Sequence, residues 1–137
     1  MTSAMPFNVN ITRVADHVQV RVAGPAAIKD FVELIQAIAD ETNYWSDTRV
    51  LTDLRQVEGS LSVEEQVFVG EMVAHSLPHL QKLASVVRPE ELTRNSERAA
   101  NEQGLRLRVF DSEDEALEWL GMDSTIMGLY TRDSVKP

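Results

Sequence analysis

The chain has no cysteine among its 137 residues, which excludes a disulfide framework, a thiolate nucleophile and the cysteine-built structural zinc sites. Basic charge is also scarce, with 13 lysines and arginines against 22 aspartates and glutamates and a formal net charge of -9. That balance opposes the counterion release that drives nucleic-acid binding, and no run of like charge makes a segregated basic face. No nucleic-acid partner is therefore expected. Long apolar runs are missing as well: nothing approaches the roughly 18 residues that span a bilayer, and "MTSAMPFN" lacks the basic start and apolar core of a signal peptide. A cytoplasmic protein is the expectation.

What the chain does contain is hydrophobic periodicity that switches between two and about 3.6 residues, without repeats or low-complexity segments. Phe7, Val9 and Ile11 alternate with polar residues, as do Val18, Val20 and Val22, and "VADH" between them suits a tight hairpin connection. Gly24-Pro25 breaks the second strand, and Ile28, Phe31, Val32, Ile35 and Ile38 follow at helical spacing. Beyond residue 48, "RVLTDL", "KLASVV" and "LRLRVF" each precede a helical pattern, beginning near Ser62, Pro89 and Ser112. Ser62-x-x-Glu65 and Ser112-x-x-Glu115 match capping boxes, and Gly104 and Gly121 stand where helices commonly end. Strands that alternate with helices are parallel strands joined by crossovers. The expected fold is a single α/β domain over 1–137, a mixed sheet of about five strands flanked by about four helices in the order β-β-α-β-α-β-α-β-α. The segment 122–137, with Ile126, Met127, Leu129 and Tyr130, is too apolar for a solvated end and is expected to dock, within the chain or across a homodimer. Tyr44 and Trp45 are expected to pack at the sheet's edge.

In order and spacing, "RVLTDL", "KLASVV" and "LRLRVFDSEDEALEWL" resemble the SpoIIAA-like proteins, relatives of the STAS domains of anti-sigma-factor antagonists; Val109-Phe110, Glu115-Ala116 and Trp119-Leu120 are the most specific part. The likeness spans roughly residues 7 to 121. It implies two precedents: phosphorylation-controlled protein binding, as in STAS domains, and an apolar-ligand or membrane role, as suspected for SpoIIAA-like proteins, whose fold is similar to CRAL-TRIO lipid carriers. Ser62 falls where the antagonists carry a phosphorylated serine at a helix start. Its neighbours differ, with Leu61 in place of an acid and Val63-Glu64 in place of Ser-Gly, and the two glutamates would repel a phosphate that the helix N-terminus favours. The capping box accounts for Ser62 without a kinase.

No catalytic constellation assembles, and an enzyme is not expected. Gly59-Ser60-Leu61-Ser62 lacks the second glycine of a nucleophile elbow, and "HSLPH", with His75 and His79, lacks the metalloprotease glutamate and carries Pro78 inside the turn. No metal or cofactor is expected. Arg55 and Arg88 are the ligand candidates, because both follow strands and ligands of open α/β sheets lie beyond the strands' carboxyl ends. Val63, Val67, Val73, Ala74 and Leu77 gather on the side of their helix expected to face the sheet, whereas Phe68 and Met72, one turn apart, fall nearly opposite. That pair is covered by a neighbouring helix or the tail, or else forms an interface or ligand lid. The expected function is a module that binds an apolar or amphipathic ligand, such as a lipid, or a membrane surface, through mobile helices. The alternative is a STAS-type regulator that binds a protein partner.

Overall fold

The structure, a computed structural model, describes residues 7–45 and 48–121. β1 (Asn8–Arg13) and β2 (Val18–Pro25) form an antiparallel hairpin that turns through a Val14 N–H to His17 carbonyl bond of 3.0 Å. α1 (Ile28–Trp45), β3 (Arg49–Glu58), α2 (Val63–Ser76) and β4 (Lys82–Val86) follow. After a 3-10 turn (Pro89–Glu91) come α3 (Asn95–Glu102), β5 (Leu107–Phe110) and α4 (Glu113–Gly121). The five strands lie in chain order, β1-β2-β3-β4-β5, antiparallel in the first pair and parallel in the rest.

That order dictates where the helices go. Parallel crossovers are right-handed, so connections that step always in one direction across a sheet place their helices on one face. α1, α2 and α3 are such connections, and α1 and α3 both pack on α2. α4 follows the last strand, makes no crossover among the described residues, and folds onto the opposite face against β3, β4 and β5.

Alternation along the strands supplies both cores. Val50 and Leu83 face the three helices with Val18, Val20, Val22, Leu107 and the α1 stripe Phe31, Leu34, Ile35 and Ile38. Leu51, Ala84, Val86 and Phe110 point the other way, toward Ala116 and Leu120 of α4. Phe7 meets Phe31 edge-on with ring centroids 4.9 Å apart, closing the hairpin end of the larger core.

Four local expectations are revised. No continuous helix begins at Pro89: the segment makes one 3-10 turn, and α3 starts only at Asn95. The β5 strand starts at Leu107, although Leu105 is buried in the larger core. Tyr44 is 79% exposed instead of packed at the sheet's edge, while the side chain of Trp45 and segment 122–137 lie outside the described residues. Val63, expected to face the sheet, is 60% exposed in the first turn of α2. α3 does end where Gly104 permits: Gln103 caps it, and Gly104 follows at φ 100°, a conformation that other residues adopt only at a cost.

Candidate functional site

Beneath α2 a cavity of about 150 Å³ separates the helices from the sheet. Its walls are Phe31, Leu34 and Ile35 of α1 with Val69 and Val73 of α2, over Leu83 of β4. On the floor two hydroxyls break the apolar lining, Thr52 on β3 and Ser85 on β4, their oxygens 2.7 Å apart. Thr52 Oγ1 donates to the Ala84 carbonyl at 3.3 Å, which leaves Ser85 as the donor between the two hydroxyls. Neither hydroxyl stands out in the sequence, because each sits inside an ordinary strand.

The mouth lies beyond the carboxyl ends of β3 and β4, where Gly59, Ser60, Leu61, Arg88 and Glu91 reach the lining. Arg88 donates from Nη1 to the Val57 carbonyl, and its guanidinium stands 3.3 Å from Glu90 and 3.6 Å from Glu91. The nearer approach is through Nε, which is buried and has no hydrogen bond of good geometry despite that ion pair. Ser60 donates to the Glu91 carboxylate, with its oxygen at 2.7 and 2.9 Å from the two carboxylate oxygens. Gln66 completes the rim, donating to the Leu61 carbonyl at 2.9 Å and accepting from Thr93 at 2.6 Å and Asn95 at 2.9 Å. Gly70 brings α2 against α3 so closely that a Cβ there would overlap the Ser96 carbonyl oxygen.

Arg55 goes elsewhere. It clasps Asp53 through Nε at 2.9 Å and Nη2 at 2.8 Å, and the same Nη2 reaches Glu113 of α4 at 2.7 Å. Arg21 on β2 adds a further 2.9 Å bond to Asp53. The hydrogen bond from Arg55 holds the Asp53 carboxyl below its ordinary range, outweighing the opposite effect of burial, and the same pairing raises the arginine. Thus the two arginines expected to follow strands differ: Arg88 lies beyond β4 and rims the cavity, whereas Arg55 lies within β3 and ties it to α4.

Ser62 is the N-cap of α2. Its side chain accepts the Glu65 N–H at 3.1 Å, and Glu65 accepts the Ser62 N–H at 2.9 Å, so both halves of the box are made. Further along, Phe68 is 47% exposed, whereas Met72 is half-buried and packs on the larger core. Helical spacing surrounds Phe68 with Glu64, Glu65 and Glu71. Of the two histidines in "HSLPH", His79 lies with Nε2 2.7 Å from the buried Thr42 hydroxyl, which itself donates to the Ile38 carbonyl at 2.7 Å. One hydroxyl hydrogen serves one bond, so Nε2 is the donor to Thr42.

Sheet order, a capped α2 after the central strand and a lone α4 on the reverse face define a SpoIIAA/STAS-type module. The SpoIIAA-like family model matches residues 17–121, and the chain belongs to that family. Two solved structures are similar. One is an anti-sigma factor antagonist from Mycobacterium paratuberculosis, 16% identical, with a TM-score of 0.59 over 86% of this chain and 98% of the other. The second is an uncharacterized protein of the DUF3478 family with a SpoIIAA-like fold from Shewanella loihica PV-4, 21% identical, with a TM-score of 0.53 over 88% and 98%. At such identities the likeness establishes the fold. No curated protein gives a significant match. Among the described residues, no helix is long and apolar enough to cross a membrane.

Proposed function

We propose that this protein is a STAS-type regulatory module that acts by binding a protein partner through the outer face of α2. One observation carries the proposal: Phe68 is 47% exposed amid three carboxylates. An apolar side chain that can be fully desolvated, inside a charged rim, is the usual anatomy of a protein-binding hot spot. The rim's sign selects a partner with basic residues around an apolar socket. The Mycobacterium structure, similar in fold, is described as an anti-sigma factor antagonist, which agrees with a regulatory role. Ser62 precedes this face by less than two turns, so a phosphate there would add charge at its edge, although the capping box already occupies the hydroxyl as an acceptor.

The test compares wild type with a Phe68→Ser variant, matched for thermal stability, in affinity capture followed by native mass spectrometry. A stoichiometric partner retained by wild type and lost with the variant supports this face. Equal retention by both places the partner elsewhere.

A second reading, an apolar or amphipathic ligand, is favoured by the cavity beneath α2. Membrane contact through Phe68 would have to be driven by apolar burial alone, since its three glutamates repel anionic headgroups. Liposome co-sedimentation of wild type against Phe68→Ser separates it from the protein-partner proposal.

A further inference from the structure

From the cavity and its mouth we infer that the space beneath α2 binds a small uncharged amphipathic molecule, with its apolar part between α1 and α2 and an oxygen acceptor facing Arg88. This rests on the ligand reading above and adds the chemical class. Size sets the first limit. A space of about 150 Å³ with apolar walls accommodates a benzene ring, so the part of a guest held beneath α2 is a short alkyl chain or one ring.

Charge sets the second. Among the described residues Arg88 is the only cation on the lining, and Glu90 and Glu91 stand 3.3 Å and 3.6 Å from its guanidinium. A ligand carboxylate or phosphate would add negative charge beside two carboxylates. An ammonium would have to separate Glu91 from both Arg88 and the Ser60 hydroxyl. A neutral oxygen adds no charge beside either pair and can accept an N–H from the guanidinium at the rim, whose Nη2 stands 3.6 Å from Glu91. The floor agrees with an uncharged guest, because Thr52 and Ser85 offer hydroxyl dipoles and no charge. Alcohols, carbonyl compounds and amides of about six carbons are the class that meets both limits.

The experiment uses three probes of equal chain length, 1-hexanol, hexanoate and hexylammonium, titrated at pH 7 into protein carrying labelled valine and leucine methyl groups. Hexanol is expected to move the resonances of Val69, Val73 and Leu83 in a saturable way, binding at least about tenfold tighter than either charged probe, the ratio that separates a satisfied neutral contact from an added unpaired charge. Val69→Phe, which fills the space, should abolish that binding, and Arg88→Lys should weaken hexanol at least about threefold by removing the planar guanidinium's donors at the rim. If none of the probes shifts these methyls, the ligand reading and this inference fall together. Equal affinity for all three would leave the ligand reading standing and overturn the uncharged class, as would tightest binding of hexanoate. Should Arg88→Lys fail to fold, the probe ranking on wild type decides alone.

Discussion

The two faces of the sheet are built to different tolerances. On one, α4 comes within 8 Å of the backbones of β3, β4 and β5, with Ala116 in the same buried cluster as Ala84. Small residues at such a contact let a helix lie close, and the ion network of Arg21, Asp53, Arg55 and Glu113 pins its first turn. At its other end the buried Lys82 donates to the Trp119 carbonyl at 2.7 Å, placing a cation at the negative end of the helix. On the second face α1 and α2 pack with one another but stand off from the strands, leaving the cavity between. One face is set by close packing and fixed charges, and the other leaves room for a guest and presents α2 to a partner.

The largest expected effect lies on the tight face. Ala116 is fully buried, so Ala116→Leu inserts three carbons where none fit and should cost about 3 kcal/mol, the upper range for overpacking. Urea unfolding would measure it. A loss below about 1 kcal/mol would mean that α4 is as loosely seated as α2.

Next in size is the network that holds α4. Asp53 is 6% exposed and pairs with two arginines. Asp53→Ala leaves Arg55 without its principal partner, but that guanidinium still reaches water and Glu113, so the expected loss is about 2 kcal/mol, below the 3–5 kcal/mol of a fully buried pair. The pH dependence has a definite sign. Folding lowers the Asp53 pKa, so the unfolded chain binds its proton more readily. The contribution is whole above the unfolded value of about 4 and disappears as pH falls through the lower folded value. Wild type and Asp53→Ala should therefore converge in stability as pH falls below about 4, and a gap that stays constant on acidification would show that the carboxylate's charge is not what stabilises the fold.

Ser62→Ala is smaller again, about 1 kcal/mol, as expected for a lost N-cap. Partner capture by the variant should remain at the wild-type level when stability is matched. Unchanged unfolding together with lost capture would instead make Ser62 a recognition residue.

Much of this architecture was legible because its determinants are local. Alternation in "VQVRV" and "LRLRVF", the capping box at Ser62 and the strand-helix alternation after residue 48 are short-range patterns. The errors lie where distant contacts decide. Thr93 and Asn95 bond to Gln66 of α2, in a segment where a helix from Pro89 would otherwise have run on, and the chain takes one 3-10 turn first. Val63 belongs by angle to the buried side of α2 but stays exposed in its first turn, and Met72 belongs by angle to the open side but reaches the core. Asp53 and Arg55 are two apart on a strand and so share one face, the only local hint of the ion network. Nothing local announces the cavity, since it depends on how far two helices stand from a sheet. The same holds for the sorting of Arg55 and Arg88, which look alike in the sequence as residues that follow strands: Arg55 lies within β3 and only Arg88 beyond β4, and the fold brings different carboxylates to each.

The smallest expected effect, on the loose face, is the sharpest test of the comparison. Val73 is buried on α2 and lines the cavity. Val73→Ile adds one methylene and keeps the β-branch, so the helix-propensity and side-chain-stiffness terms nearly cancel and packing alone remains. In a filled core that methylene would force a strained rotamer; next to a void it gains contacts instead. The expected change is within about 0.5 kcal/mol of wild type, or slightly stabilising at up to about the 0.8 kcal/mol of one buried methylene. Urea midpoints with an unchanged slope would read it directly. A loss of more than about 1 kcal/mol, the cost of overpacking, would show that the space beneath α2 is closed to added volume in solution, and the difference between the two faces would vanish.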